Sequence, residues 1–347
     1  MRLKIRAVTV HEVELSLNSW IEDVKLMSKK IAEINEDVLS LRLSLEANYV
    51  DTSLLDKLSK LTRVNELNYI SIWLEEVTAL EEIVELLSIS EKVYVSFMYS
   101  NDLPFKASEL LFTVHERLSW SGCSRLGLSI GEPPQTPYFP VNRPEERGFS
   151  VSLLYPKHLL DLLNFGHSLS EALKLIAEHT LELCRGLERG LPFLGVDYSL
   201  SPWMDDSVVE LIERVSGVEF GDPGTISAIV EVNRAIRTAA HKYEGIGFNE
   251  VMLPYAEDNR LKDLGRRGLL TLRDLMSYTV YCVAGLDMVL IPVSDGVKFA
   301  DSMLRDLTET KALKGRCIGF RVLLADRPPG LEVNLGEFGV TPVLRVK

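Results

Sequence analysis

The pattern that most restricts the fold is a repeated switch between two hydrophobic periods. Short runs in which every second residue is apolar, or all are, alternate with segments whose apolar residues recur every three to four positions. Period two marks a strand with one buried face, and a period near 3.6 marks an amphipathic helix. Residues 5–15 alternate, and Ser19-Trp20-Ile21-Glu22 then reads as a capping box ahead of Ile21, Val24, Ile31 and Ile34 at helical spacing. Residues 38–45 alternate again, with Leu39, Leu41, Leu43 and Leu45 on one side and Ser40, Arg42 and Ser44 on the other. Further strand-like runs occupy 69–74, 93–98, 126–130, 149–155, 194–200, 250–255, 288–293 and 317–324, mostly with helix-period segments between them. Ten strands interleaved with helices predict an α/β protein with a largely parallel sheet or barrel.

Of the 347 residues, 46% are apolar and 25% charged, a globular balance that can bury a sizeable core. Single α/β barrels reach this length, and no repeat, low-complexity tract or linker divides the chain, so 1–347 is expected to form one domain. A formal charge of -12 argues against nucleic acid, whose partners usually carry a basic patch. No run approaches the roughly 18 apolar residues of a membrane span. The N-terminal MRLKIRAVTVHEVEL lacks the apolar core and cleavage site of a signal peptide, which predicts a cytoplasmic protein. Cys123, Cys184, Cys282 and Cys317 form no CxxC pair and read as reduced, buried thiols. The six histidines form no HxxxH or HxH pattern, so a metal, if used, is expected to be a hard divalent cation such as magnesium or calcium on acidic loops.

One long stretch is irregular. GEPPQTPYFPVNRPEERG, residues 131–148, holds five prolines that forbid helix and central strand. It reads either as a lid around Tyr138 or as a surface excursion joining two halves of the fold.

The densest candidate site runs from Gly195 to Ile236. A strand ends at Asp197 and Ser199, Pro202 stops it, and Ser207-Val208-Val209-Glu210 is a capping box that opens a helix. Asp197, Ser199, Asp206 and Ser207 therefore lie where a strand's C-terminal end meets a helix N-terminus, the edge at which α/β proteins bind ligands. Ser207 is also a plain N-cap and Asp206 a charge favoured by the helix dipole. Asp197 closes an apolar strand, where a carboxylate needs partners. Gly221-Asp222-Pro223-Gly224-Thr225 opens the next helix and offers backbone N–H groups to an anion, without a P-loop lysine. Asp287, before the apolar run 288–291, is a second candidate, or a residue capping the preceding turn, with a helix end expected at Gly285. Arg214-Val215-Ser216-Gly217-Val218 resembles the glycine loop of glycyl-radical enzymes, but Gly217 falls where a helix C-cap is wanted.

G-V-D-Y-S-L-S-P at 195–202, D-S-V at 206–208, G-T at 224–225, G-L-D-M at 285–288 and I-P at 291–292 resemble the motifs of an uncharacterised prokaryotic family, domain-of-unknown-function family seven-one-one. I-R-A-V-T-V at 5–10 and F-G-V-T-P-V-L at 338–344 are similar to its two ends, and the middle, 100–160, departs most. The resemblance implies a pyruvate formate-lyase-like fold, a ten-stranded α/β barrel of two five-stranded parallel halves, without the glycyl radical of the fold's best-known members. It implies no reaction, since fold does not carry activity.

The expected function is an enzyme acting on a small polar metabolite. Asp197 and Asp206 are its candidate acid and base, or ligands of a hard metal ion, and Ser199, Ser207, Gly224, Thr225 and Asp287 are candidate substrate contacts. The alternative is a non-catalytic metabolite-binding or regulatory protein. A homo-oligomer is the default expectation.

Overall fold

The structure, a computed structural model, describes residues 3–13, 16–34, 37–188, 190–283 and 285–347. The first half runs β1 (Lys4–Glu12), α1 (Leu17–Glu33), β2 (Asp37–Val38), β3 (Leu41–Ala47), α2 (Thr52–Leu61), β4 (Tyr69–Leu74), α3 (Leu80–Ile89), β5 (Val93–Met98), α4 (Ala107–Ser124) and β6 (Leu126–Ile130). After the proline-rich stretch come β7 (Gly148–Leu154), α5 (Pro156–Asn164), α6 (Leu169–Leu187), β8 (Phe193–Asp197), α7 (Val208–Ser216) and α8 (Thr225–Lys242). The chain ends with α9 (Asn259–Arg266), α10 (Leu272–Tyr278), β9 (Leu286–Pro292), α11 (Val293–Lys314), β10 (Ile318–Ala325), β11 (Glu332–Asn334) and β12 (Val340–Pro342).

Strands β1 to β10 form one mixed sheet in the order β8-β7-β1-β3-β4-β5-β6-β10-β9, with β2 paired to β1. The set β1, β3, β4, β5 and β6 is parallel throughout. The pairs β7–β8 and β9–β10 are parallel as well. The two groups meet antiparallel at β1–β7 and at β6–β10. Parallel neighbours need long crossovers, which α2 and α3 supply between β3, β4 and β5, and α4 between β5 and β6. Past β8, single parallel bridges link Val196 to Gly245, Leu200 to Val251 and Met252 to Val283.

Several boundaries differ from the sequence expectation, each for a local reason. Helix α1 starts three residues early, because Ser16 caps it and accepts from the Ser19 N–H at 3.5 Å. The strand expected over 38–45 breaks at Leu39, which is exposed, and Ser40, whose Oγ donates to the Arg6 carbonyl at 3.0 Å. The strand expected over 250–255 makes only single bridges. Asn249 turns the chain before it with φ 55°, and Pro254 has no N–H for a ladder. The helix expected to reach Gly285 stops at Tyr278. Gly285 instead enters β9 with φ 73°, where a Cβ would run into the Gly319 carbonyl.

The proline-rich stretch departs most from a surface excursion. Residues 131–147 form neither helix nor strand, yet most of 133–142 is buried. A buried loop must find partners for its backbone, which is why most loops stay outside. Prolines lower that demand, since they bring no N–H. Two of the loop's carbonyls are met by hydroxyls on the strands. Thr9 Oγ1 donates to the Pro137 carbonyl at 3.1 Å, and Ser71 and Ser96 donate to that of Pro140 at 3.2 and 2.8 Å. Asn142 reaches Ser44 Oγ at 2.6 Å, and Tyr138 donates to the Ser199 carbonyl at 3.1 Å. The loop is thereby gripped between β1, β3, β4 and β5 on one side and the end of β8 on the other. Gly127 on β6 has to stay small, because a Cβ there would lie 2.5 Å from Pro140 Cγ.

His11 on β1 is wholly buried with its Nε2 2.6 Å from Ser150 Oγ, and burial lowers its pKa from 6.5 to about 3. It stays neutral in the fold and takes up a proton only on unfolding. Between pH 6.5 and 3 this group therefore removes stability as pH falls, by about 1.4 kcal/mol per unit. Glu12, pushed up to about 8 by burial and by Asp23, works oppositely between pH 4.5 and 8, so the His11 effect is read as a difference. In urea unfolding, the stability deficit of His11→Gln relative to wild type is expected to shrink by about 1.4 kcal/mol per unit from pH 6.5 to 4.5. A deficit that is constant across that range would show that His11 titrates alike in both states.

Candidate functional site

Period-two alternation places Arg42 and Ser44 on one face of β3, Tyr69 and Ser71 on one face of β4, and Tyr94 and Ser96 on one face of β5. The serines hold the proline-rich loop. Arg42, Tyr69 and Tyr94 stand two residues earlier on their strands and line a cavity of about 300 Å³. Two strand irregularities bring in further charge. The register of β1 against β7 shifts between Ile5 and Ala7, which makes Arg6 the extra residue of a bulge. The register of β10 against β9 shifts between Arg321 and Val322, beside Met288 at φ 52°. Bulges re-aim side chains, and here Arg6, Asp287 and Arg321 all reach the cavity.

Arg6, Glu257, Arg321 and Asp287 form a continuous chain of ion pairs. Arg321 holds Asp287 through Nε and Nη2 at 2.5 and 2.9 Å, and its Nη2 also reaches Glu257 at 3.1 Å. The other Glu257 oxygen accepts from Arg6 at 2.5 Å. Arg6 also donates to the Pro202 carbonyl and lies 5.4 Å from the centre of the Trp203 ring. All four side chains are nearly inaccessible, so the pairing offsets a large desolvation cost.

Arg42 is different. Its Nε donates to Ser40 Oγ at 2.9 Å and its Nη1 to the Pro137 carbonyl at 3.4 Å. It packs between the rings of Tyr69 and Phe139, 5.6 and 5.3 Å from their centres. No carboxylate of the described residues lies within ion-pair distance of it. Burial and then the Arg6 charge lower its pKa to about 10, which leaves it protonated at neutral pH. Tyr94 completes the wall, edge-on to Tyr69 at 5.5 Å, and burial raises its hydroxyl well above the usual tyrosine range. Glu337, in the turn Gly336–Phe338 between β11 and β12, lines the cavity from its exposed rim.

The residues singled out from sequence fall into separate places. Asp287 lines the cavity. Asp197 is fully buried and lies outside the lining, saturated by Thr136 Oγ1, by the N–H and Oγ of Ser199, and by the N–H groups of Phe248 and Asn249, all within 3.0 Å. Ser199 Oγ in turn accepts from the Glu250 N–H at 3.2 Å. Asp206 sits at the start of α5 and accepts from the Lys157 N–H at 2.6 Å, sharing no partner with Asp197. Ser207 caps α7, and its Oγ donates to Asp258, which also caps α9. Gly224 is the N-cap of α8 with φ 121°, and Thr225 Oγ1 accepts from the Gly221 N–H at 3.0 Å. Gly217 is the left-handed C-cap of α7, its N–H on the Glu213 carbonyl at 2.8 Å. Arg6, Arg42, Arg321 and Glu257 were not among the candidates. A sequence signal marks Arg321, an arginine interrupting the otherwise apolar run I-G-F-R-V-L-L-A, whereas Arg42 sits on the polar side of an alternating strand.

All four cysteines are free and buried. Among the described residues no helix is long and apolar enough to cross a membrane, and no group of three or more His, Cys, Asp or Glu side chains is placed to hold a metal ion.

Fold and site together define an α/β protein whose mixed sheet lines a charged, aromatic-walled cavity. The profile of the family described as Uncharacterised ACR (DUF711) matches residues 55–326, and the chain belongs to that family. A UPF0210 protein of Methanopyrus kandleri is 27% identical over 297 residues, covering 77% of this chain and 65% of that protein. UPF0210 proteins of Bifidobacterium animalis subsp. lactis and Halothermothrix orenii are 29% and 30% identical over 164 and 163 residues, 45% of this chain in each case. Those matches span 36% of the length of either relative.

The hydrogen bonds at Asp197 predict how it responds to substitution. One of its oxygens accepts three bonds and the other two, at least one on each from a backbone N–H, so either orientation of an asparagine sets its NH2 against a backbone donor. Asp197→Asn is expected to cost about 3 kcal/mol in chemical denaturation, and Asp206→Asn, which weakens one bond at a partly exposed site, under about 1 kcal/mol. Equal losses would contradict the distinction between them.

Proposed function

We propose that the chain binds a small organic anion in the cavity and acts on it by proton transfer. The sheet is taken to close into a single-domain barrel resembling the pyruvate formate-lyase fold, with the cavity inside. The antiparallel junctions at β1–β7 and β6–β10, and the bridges that continue pairing past β8, support that closure. Relatives of unassigned activity leave the function to be argued from the cavity.

The observation that carries the proposal is Arg42. A guanidinium held between two rings, steadied by one hydroxyl and one carbonyl, and facing a cavity without a carboxylate partner, is a charge prepared for a ligand. Tyr69 and Tyr94, held neutral by burial, would donate hydrogen bonds beside it. Glu337 would move the proton, since partial burial and the Glu257 charge raise its pKa above the ordinary glutamate range. In this reading Asp197 and Ser199 position the loop that carries Tyr138 and Phe139, and Asp206, Ser207, Gly224 and Thr225 order the helix starts around it. Chemistry through a hard cation is the weaker branch, because the donor groups of the described residues do not gather.

One observation favours the second reading, a protein that binds without turnover. Glu257 and Asp287, the buried carboxylates of the cavity, are both committed to arginines. A thermal-shift screen with small carboxylates separates the outcomes. Wild type is expected to be stabilised by at least one of them, and Arg42→Gln to bind it ten- to a hundredfold more weakly, as loss of a charge-assisted bond implies. Undiminished binding by Arg42→Gln would remove the cavity from the reaction. Conversion of the bound compound would decide between enzyme and binder.

A further inference from the structure

Six charged side chains line the cavity, and they divide unevenly. Arg6, Arg321, Glu257 and Asp287 pair with one another, two cations against two anions. Arg42 and Glu337 also line the space and have no ion-pair partner among the described residues. The cavity thus presents one uncommitted cation and one uncommitted anion, carried by different elements, β3 and the turn between β11 and β12. A ligand bearing only a negative charge would answer Arg42 and set like charge near Glu337, which costs affinity. A ligand bearing only a positive charge would do the reverse.

Much of the remaining lining is aromatic. Tyr69 and Phe139 flank Arg42, Trp203 and Phe338 pack edge-on at 5.7 Å beside Glu337, and Phe248 and Phe320 add further ring surface. A volume of about 300 Å³ is at the lower end for a ligand site and suits one small molecule.

We infer that the cavity selects a zwitterion, a free α-amino acid or close analogue with an apolar or aromatic side chain, its carboxylate on Arg42 and its ammonium group on Glu337. This rests on the organic-anion reading of the same cavity and narrows it. The binding energy comes from two charge-assisted contacts, one with Arg42 inside the cavity and one with Glu337 at its exposed rim, and the rings accommodate the side chain.

Calorimetric titration of the full chain tests it with L-phenylalanine, L-leucine and L-methionine. The controls are the des-amino acids 3-phenylpropanoate and 4-methylpentanoate, which keep only the anion, and phenylalaninamide, which keeps only the cation. At least one amino acid is expected to bind at least tenfold more tightly than its des-amino or amide counterpart. In Glu337→Gln, at the exposed rim, the preference over the des-amino acid is expected to vanish while the des-amino acid still binds. Wild type that binds a des-amino acid as tightly as the amino acid would overturn the zwitterion and leave the organic-anion site standing. Wild type that binds none of these carboxylates would overturn both.

Discussion

A segment without helix or strand that lies deep in a protein must give each of its carbonyls a donor, and this structure is organised around meeting that demand. The strands that face residues 131–147 could have carried valine or leucine there, as buried parallel strands usually do. They carry Thr9, Ser44, Ser71 and Ser96 instead, each fully buried and each bonded to the loop. The loop's prolines reduce the number of donors it brings, and Asn142 folds back to take the Thr136 N–H at 3.1 Å. At the far side Asp197 fixes the same segment through Thr136 and, with its other bonds, fixes the turn at 248–249. Cavity walls from distant parts of the chain are held in one geometry by this arrangement.

The buried ion network has a different rationale. Buried pairs seldom add net stability, because desolvating four charges costs about as much as their attraction returns. What the network does supply is rigidity of placement: Arg321 and Asp287 are locked face to face, and Glu257 ties β10 to β1 through Arg6. The dipoles and charges facing the cavity are thus already oriented, and a proposed ligand would require little reorganisation of them.

Much of the layering was legible in the hydrophobic periods. The strands at 69–74, 93–98 and 126–130 fall where alternation and apolar runs put them, and α7 begins after Ser207 and ends at Gly217 as its capping residues imply. The strand ends and the site were harder. The break at Leu39 and Ser40 depends on a hydrogen bond to Arg6, 34 residues away, which no local pattern contains. Three of the five bonds that saturate Asp197 come from positions 136, 248 and 249, so its need for partners could be read but not the identity of these three. The face of β3 that carries Arg42 and Ser44 looks from sequence like a solvated face. It is turned towards an interior loop, and a polar face meeting a buried backbone has the same period-two signature as one meeting water.

The bulges at Arg6 and beside Met288 have a consequence for how such a cavity can change over time. A regular strand shows alternate residues to each side, so altering what faces inward normally requires substitution. A bulge makes inward orientation depend on the count of residues, not only on their identity. Gain or loss of a single residue near either bulge would exchange a charged neighbour for an apolar one in the cavity while leaving the hydrophobic layers beneath in register. Short insertions and deletions at these two points are thus a direct route by which descendants of one ancestor could diverge in the charge pattern they present to a ligand.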